Sequence, residues 1–452
     1  MGRKLGILTG CECLLWVILA ACFVMPASAA TVIRDAETEA VIDQIAFPIF
    51  GAARLDHESI DIYILNDEKL NAFVAGGQNL FVNTGLIMRT TSPDELAGVI
   101  AHETGHIAGG HLSRGMQAQQ NAGISTVAGM LLGAAAAVAG APELGTAIMA
   151  GGATVGQRNL LKFSRTQEQA ADQAAVTYLR ALQMSPEGLL DFFHVLETQN
   201  LRISSDGSEY LRTHPLTRDR INFLEQQTAQ SPYRNAKPDP ALSAAYDRVV
   251  AKLDGFLSNS AQVIQRRKSD SVPDRYARAV AYYRQPDLPK ALAEIDGLIA
   301  DYPQDPYFYE LKGQMLFENG RVKESIEPNR QALRYRPDSA LLRYGLARSL
   351  LESGESKDLT ESAALLRDVV RVEPRNGGAW RFLGIAEGRL GNEGAASMAL
   401  AEQAVLVGNR SDAQLYLRRA EQFIKPDDPN WYRLQDLKRA VEEIEEQRPR
   451  RR

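Results

Sequence analysis

Beyond position 22 the chain contains no cysteine: Cys11, Cys13 and Cys22 are the only three in 452 residues. Whatever follows can therefore occupy an oxidising compartment without disulfide chemistry. A surplus of positive charge is also lacking, with 51 Lys and Arg against 56 Asp and Glu and a formal charge of −5. That balance argues against the basic field on which nucleic-acid binding depends, since no Lys/Arg-rich face is apparent outside the last few residues. Bulky apolar runs of bilayer length are missing as well. With 45% hydrophobic and 24% charged residues the composition is ordinary for a globular protein, which excludes wholesale disorder and a polytopic membrane protein. The length suits about three domains of roughly 150 residues each.

The first thirty residues are a separate matter. Arg3 and Lys4 precede an apolar stretch from Leu14 to Val24, and Ala27-Ser28-Ala29-Ala30 follows. The apolar length is about half that of a membrane span, so the pattern predicts a signal peptide over 1–29 and an exported chain. Leu19-Ala20-Ala21-Cys22 offers an alternative, a lipoprotein box that would anchor the chain through a lipidated Cys22. The apolar Phe23-Val24-Met25 and the small-residue site directly after it weigh against that reading.

Past the leader, a helix is expected near Asp35 to Phe50, and strands over Ile60–Leu65 and Asn79–Val82, with a turn at Gly76-Gly77 between them. Ser92-Pro93-Asp94-Glu95 reads as a capping box that opens a helix running through Ala101 to about Met116. Ser164 with Gln167 reads as a second box, opening a helix to about Leu182. Ser185-Pro186 and His214-Pro215 read as two further helix starts, with His214 extended because it precedes proline. Ala122 to Ala141 carries no charge, yet consists mostly of Gly and Ala. Its small apolar area favours a packed internal hairpin, with peripheral membrane contact left open.

A repeat begins near Asp274. Pro303 and Pro337 lie 34 residues apart, the tetratricopeptide (TPR) period, and Pro374 follows after 37, the extra three fitting an insertion in Gly354 to Ser362. Trp380, Leu383 and Gly384, then Ala396 and Leu400, stand where such a repeat wants its large and small residues. Pro232 to Pro240 is the expected linker ahead of this module.

The chemistry is carried by His102-Glu103-Thr104-Gly105-His106. On a helix, residues four apart are turned by only about 40°, so both imidazoles leave one face and can share a metal. Glu103 points to the side, where it can reach a metal-bound water without binding the metal. Of the chain's six histidines, His111 is the tempting third ligand, but on a continuing helix it is turned about 180° from His102. The better source is Glu168-Gln169-Ala170-Ala171-Asp172, in which Glu168 and Asp172 share a helix face. One carboxylate can ligate while the other holds a ligating histidine, and the two alanines permit close helix packing. Zinc is expected because two imidazoles, a carboxylate and one open position match its catalytic geometry. His57 and His194 have no partner pattern and read as ordinary structural or surface histidines.

This set, H-E-x-x-H, then E-x-A-A-D, then Thr213-His214-Pro215 with Arg220, resembles the HtpX/BepA-like branch of the gluzincin metallopeptidases. Asn71-Ala72-Phe73 is similar to that family's active-site edge strand, and Asn83-Thr84-Gly85-Leu86 to the turn beyond it. The likeness covers roughly residues 35 to 230. It implies one Zn2+ per chain on His102, His106 and Glu168, Glu103 as general base, and Asp172 orienting a ligating histidine. It further implies that His214 and Arg220 stabilise the oxyanion, or that His214 fills the fourth zinc position and holds the enzyme latent. Exported members with C-terminal TPR repeats are periplasmic proteases and chaperones of outer-membrane protein assembly. The implied substrates are unfolded or misassembled envelope proteins, with the repeats recruiting clients or the assembly machinery. The extended run Asn71 to Val82 could hold substrate by strand addition.

The expected architecture is mainly α: an α+β zincin-type peptidase domain with a small sheet, then an all-α TPR solenoid. Its boundaries are a signal peptide at 1–29, the peptidase domain at 30–231, a linker helix region at 232–272, repeats at 273–424, and a C-terminal helix with an Arg-rich tail at 425–452. The competing function is a chaperone or scaffold with a latent or structural zinc site. An intact Glu103 argues for the peptidase, since a purely structural zinc helix has no use for it.

Overall fold

The computed structural model describes residues 31–111, 114, 164–202 and 209–446. The expected signal peptide, the 122–141 stretch and the Arg-rich end lie outside the described residues. Strand β1 (Thr31–Ile33) leads into Asp35, whose carboxylate accepts the Thr38 N–H (2.8 Å) and so caps helix α1 (Ala36–Ala52). Three more strands follow: β2 (Ile62–Asn66), β3 (Ala72–Ala75) and β4 (Asn79–Asn83). The sheet order is β1-β2-β4-β3, with β2 parallel to β4 and the outer two pairs antiparallel. Gly76 and Gly77, at φ 59° and 103°, turn β3 back into β4, a conformation that costs glycine little. The turn therefore joins β3 to β4 rather than the two strands read from the sequence, and β3 lies at the edge.

After the short α2 (Thr84–Ile87) comes α3 (Pro93–Ala108), the helix of the H-E-x-x-H motif. Ser92 Oγ accepts the Glu95 N–H (3.4 Å), and Glu95 Oε1 reaches back to the Thr91 N–H (3.2 Å), one residue before the place a standard box would choose. The helix ends at Ala108, short of the expected Met116. Residues 164–181 form α4, in which Ser164 is already helical rather than the cap. Next are α5 (Glu187–Arg202), α6 (Glu209–Thr213) and α7 (Arg218–Ala229). The fourth expected helix starts later than His214-Pro215, because Thr217 is the cap, its Oγ1 accepting the Arg220 N–H (3.4 Å). His214 is thereby left in the irregular stretch between two helices.

Helix α8 (Pro240–Leu257) belongs to two cores at once. Val249 and Leu253 pack into the cluster shared with α1, the sheet and α3, while Ala251 packs on Ala277 and Ala281 of the first repeat helix. Residues 232–239 carry no helix, and the rest of the expected linker helix region is α8, buried against both neighbours, with α9 (Ser260–Arg266).

Paired helices then run from α10 (Val272–Arg284) through α11 (Leu288–Asp301), α12 (Pro306–Glu318), α13 (Val322–Tyr335), α14 (Ala340–Glu352), α15 (Ser356–Val372), α16 (Gly377–Arg389), α17 (Glu393–Leu406) and α18 (Arg410–Phe423) to α19 (Trp431–Glu446). Each of the three repeat prolines plays one part. The carbonyl of Pro303 accepts from Tyr309 Oη (3.1 Å), that of Pro337 from Arg343 Nη2 (2.6 Å), and that of Pro374 from Trp380 Nε1 (2.8 Å). The three extra residues before Pro374 lengthen one helix: α15 has 17 residues, against 14 in α11 and in α13.

The repeats are fastened to the start of the peptidase unit by buried charge. Lys252 Nζ, almost without solvent, lies 2.5 Å from Asp35, 3.5 Å from Glu37 and 3.7 Å from Glu310. Arg248 bridges Glu37 (2.6 Å) and Asp305 (2.5 Å), and Tyr276 donates to Glu37 (2.8 Å). Arg34 reaches Glu373 (2.7 Å) in the loop after α15. Removing the cation at the centre leaves buried carboxylates uncompensated, so Lys252→Ala is expected to destabilise the protein by about 3–5 kcal/mol. The same change should open the junction to limited proteolysis between the two units. A variant that unfolds at the wild-type denaturant concentration would show that the cluster holds nothing together.

Candidate metal centre

His102 and His106 project from one face of α3, as their spacing dictates. Their Nε2 atoms are 3.1 Å apart. Helix α4 crosses this face closely, because a Cβ on Gly105 would come within 3.0 Å of the Ala171 Cα. That approach brings Glu168 to both imidazoles, at 3.4 Å from His102 Nε2 and 3.4 Å from His106 Nε2. From the stretch ahead of α7, His214 adds its Nδ1 at 3.3 Å from His102 Nε2 and 3.2 Å from Glu168 Oε2. One donor atom from each of these four residues lies within 4.8 Å of all the others.

These spacings bear on whether a metal fits. Four donors at the 2.0–2.1 Å bond lengths of zinc form a tetrahedron with edges of about 3.3–3.4 Å; five of the six separations here are 3.1–3.4 Å, His106 being nearest Glu168 Oε1 and His102 and His214 nearest Oε2. Three imidazole nitrogens and a carboxylate cannot all be satisfied by hydrogens shared among themselves, whereas one cation satisfies every lone pair. The donor set fits a metal ion.

Behind the donors is a buried lock. Asp172 Oδ1 lies 2.9 Å from His102 Nδ1, which leaves Nε2 for the centre. Arg220 grips Asp172 with two bonds, Nε to Oδ2 (2.7 Å) and Nη2 to Oδ1 (2.9 Å). Its Nη1 reaches Glu168 Oε2 (3.0 Å) and the Pro215 carbonyl (3.0 Å). Phe193 backs the guanidinium, its ring centroid 4.8 Å from Cζ. The resemblance offered Arg220 as an oxyanion stabiliser. Its guanidinium is instead engaged with the ligand-side carboxylates and the loop that carries His214.

Electrostatics follow from this arrangement. Burial opposes the ionised form of Asp172 and Glu168, but hydrogen bonds and charge from Arg220, His102 and His214 overcome it and hold both below the usual carboxylate range. Burial likewise disfavours charge on His102, yet Asp172 and Glu168 raise it to about 9. His106 is pushed well down by burial and by the neighbouring His102. Glu103 behaves oppositely to the other carboxylates. It is fully buried, its Oε1 has no hydrogen-bond partner, and burial raises its affinity for a proton, with His214 and His102 opposing. Its nearest imidazole nitrogen is His214 Nε2, at 3.5 Å.

A cleft of about 620 Å³ opens onto the centre, lined by Asn71, Phe73 and Val74 along the edge strand and by Glu103, His106, Glu168 and His214. Of the run Asn71-Ala72-Phe73, read as the active-site edge, Asn71 and Phe73 line this cleft. His57 and His194 are surface residues, with side chains about half exposed at 47% and 46%. Two neighbours escaped the sequence reading. Tyr210 stacks on His214, with centroids 4.6 Å apart, and its carbonyl accepts the His214 N–H (2.7 Å); only the four-residue spacing hinted at it. His111 lies beside His106, with Nδ1 atoms 3.0 Å apart. The argument that turned it away assumed a continuing helix, and the helix stops before it.

Residues 33–228 match the model of peptidase family M48, and residues 276–339 match a tetratricopeptide repeat. The beta-barrel assembly-enhancing protease of Yersinia pestis is 27% identical over 289 residues, which cover 59% of this chain and 58% of that protein. Its counterpart in Escherichia coli strain K12 is 24% identical over 406 residues, covering 88% of this chain and 81% of the relative.

The Arg220 lock makes a prediction about stability. Arg220→Ala should cost about 3–5 kcal/mol by stranding two buried carboxylates. Adding Asp172→Asn should return part of it, with a coupling of about 0.5–3 kcal/mol in a double-mutant cycle of denaturant unfolding. Strictly additive costs would mean that Arg220 acts by packing on Phe193 and not by charge.

Proposed function

Proceeding from residues 33–228 as a peptidase family M48 domain, with TPR repeats behind it in a metallopeptidase, we propose that the chain is a zinc-dependent endopeptidase of the cell envelope that hydrolyses misfolded or stalled outer-membrane proteins. The observation that carries the chemistry is the buried donor set of His102, His106, Glu168 and His214 with the buried Glu103 carboxylate beside it, whose Oε1 has no hydrogen-bond partner. Zinc held there would polarise a peptide carbonyl and acidify water at an open position. Glu103, made more basic by burial, accepts the proton of the attacking water and returns it to the leaving amine. Asp172 keeps the His102 tautomer fixed, and Arg220 keeps Asp172 and Glu168 ionised.

Substrate enters the cleft beside β3. The outer edge of that strand can accept an extended backbone as one more strand, which selects for unfolded segments rather than for a particular side chain. The client class comes from the relatives, whose names describe assembly of β-barrels. Periplasmic location after export, recruitment of clients or assembly machinery through the repeats, and a cleaved signal peptide complete the reading. Among the described residues no helix is long and apolar enough to cross a membrane.

The place of His214 supports the latent form over the oxyanion role. Its Nδ1 stands at the fourth corner of the donor set, where it would exclude the water that Glu103 activates. Activity then requires His214 to swing away. Until it does, the protein can still act as a chaperone or scaffold through its repeats.

The test is cleavage of an unfolded outer-membrane protein by the full chain, with bound zinc measured in parallel. Glu103→Gln should abolish cleavage while zinc stays bound, a loss on the order of 10²-fold or more. His214→Ala should raise activity, and a fall would return His214 to transition-state stabilisation. Cleavage that depends sharply on one side chain would count against strand addition. If all three proteins hold zinc and none cleaves, yet the wild type prevents client aggregation, the scaffold reading replaces the enzyme.

A further inference from the structure

An imidazole that offers Nε2 to a metal carries its proton on Nδ1, and the group accepting that proton sets the angle of the ring. On this side His102 has the Asp172 carboxylate, with Oδ1 2.9 Å from Nδ1. Among the described residues His106 has no carboxylate at Nδ1. Its Nε2 belongs to the donor set, and on the far side of the ring its Nδ1 lies 3.0 Å from the Nδ1 of His111. The two rings meet edge to face, at 80°, so the Nδ1–H of His106 points to a lone pair on a neutral His111, whose own proton then sits on Nε2.

The backbone is built to put His111 there. Gly109 closes α3, and Gly110 takes φ 59°, a left-handed turn that breaks the helical direction and returns residue 111 toward the metal face. A Cβ on Gly109 would lie 2.4 Å from His111 Nε2 and 2.7 Å from its Cδ2, so the imidazole occupies the space that this glycine leaves. Gln167, the neighbour of Glu168, donates its Nε2 to the His111 carbonyl (3.0 Å), tying this turn to the helix that supplies the carboxylate ligand. Three independent features thus converge on the position of one side chain.

We propose that His111 is a positioning residue, whose Nδ1 accepts the proton of His106 Nδ1 and so holds the His106 ring in its metal-binding orientation. The inference rests on the metal reading given above and deepens it. The two ligating imidazoles of α3 then differ in kind: His102 is backed by a negative charge and His106 by a neutral acceptor, which makes His106 the weaker donor of the pair.

The experiment measures zinc affinity of the full chain against a chromophoric chelator, for wild type, His111→Ala, His111→Asn and Gly109→Ala. His111→Ala should weaken zinc binding by about 10–100-fold, the usual effect of removing such a partner. Asn places an amide oxygen near the position of Nδ1, so His111→Asn should restore most of the affinity. Gly109→Ala keeps the imidazole but displaces it, so it should fall with His111→Ala, and it carries the test if the latter fails to fold. Wild-type affinity in both His111→Ala and Gly109→Ala would overturn the proposal while leaving the metal site standing. Equal losses in His111→Ala and His111→Asn would overturn the acceptor role. A wild-type chain that binds no zinc would bring down the metal reading and this inference with it.

Discussion

Lone pairs brought together in a dry interior need a positive charge among them, and most of the peptidase unit is arranged around that requirement. His102, His106, Glu168 and His214 converge from two helices and a loop onto a volume the size of one ion. Their donor atoms lie within 4.8 Å of one another, and each donor is set by something outside the group. Close packing of α3 on α4 at Gly105 brings Glu168 to the imidazoles. Asp172 stands 2.9 Å from His102 Nδ1, and Arg220 pairs with both Asp172 and Glu168, carboxylates whose charge burial opposes. Glu103 stands inside the same cluster without a hydrogen-bond partner at Oε1, and the environment that keeps the ligands ionised makes this one carboxylate more basic.

Arg220 links the site to a wider consequence. Since its Nη1 also binds the Pro215 carbonyl, the residue after His214 is tied to Glu168 and Asp172 through one guanidinium. Stacking of Tyr210 adds a second restraint on the same imidazole. His214 is thus held by contacts that involve no metal. A residue restrained this way can serve as a switch, because removing it from the donor set breaks a small, countable group of interactions.

At the other end of the unit, charge fastens the repeats to the segment that opens the fold. Asp35 caps α1 and binds Lys252, while Glu37, two residues on, joins α8 to the first repeat through Arg248 and Tyr276. The repeats are consequently no free arm. Their early helices share buried groups with the unit that holds the metal centre, and α8 contributes to the cores on both sides.

Local rules accounted for much of this in advance. The i, i+4 pairing of His102 with His106 and of Glu168 with Asp172 follows from helical period alone, as do the Ser92 cap and the 34-residue rhythm of the prolines, because each depends on residues close in the chain. The exclusion of His111 as a ligand agrees with the donor set, but the reason given for it does not hold: Gly109-Gly110 were legible as a stop, and helical geometry was carried past them. Arg220, Tyr210 and Phe193 were of another kind. Their roles arise from contacts between α4, α5 and α7 and the loop that holds His214, and no spacing in the chain encodes a contact between distant segments. By itself, then, the sequence determined which residues share a helix face and what chemistry they carry. Only the tertiary structure decided how those faces meet, which imidazole fills the fourth corner, and that Arg220 answers to carboxylates, because electrostatic partners in a buried site are chosen by distance through space and not by separation along the chain.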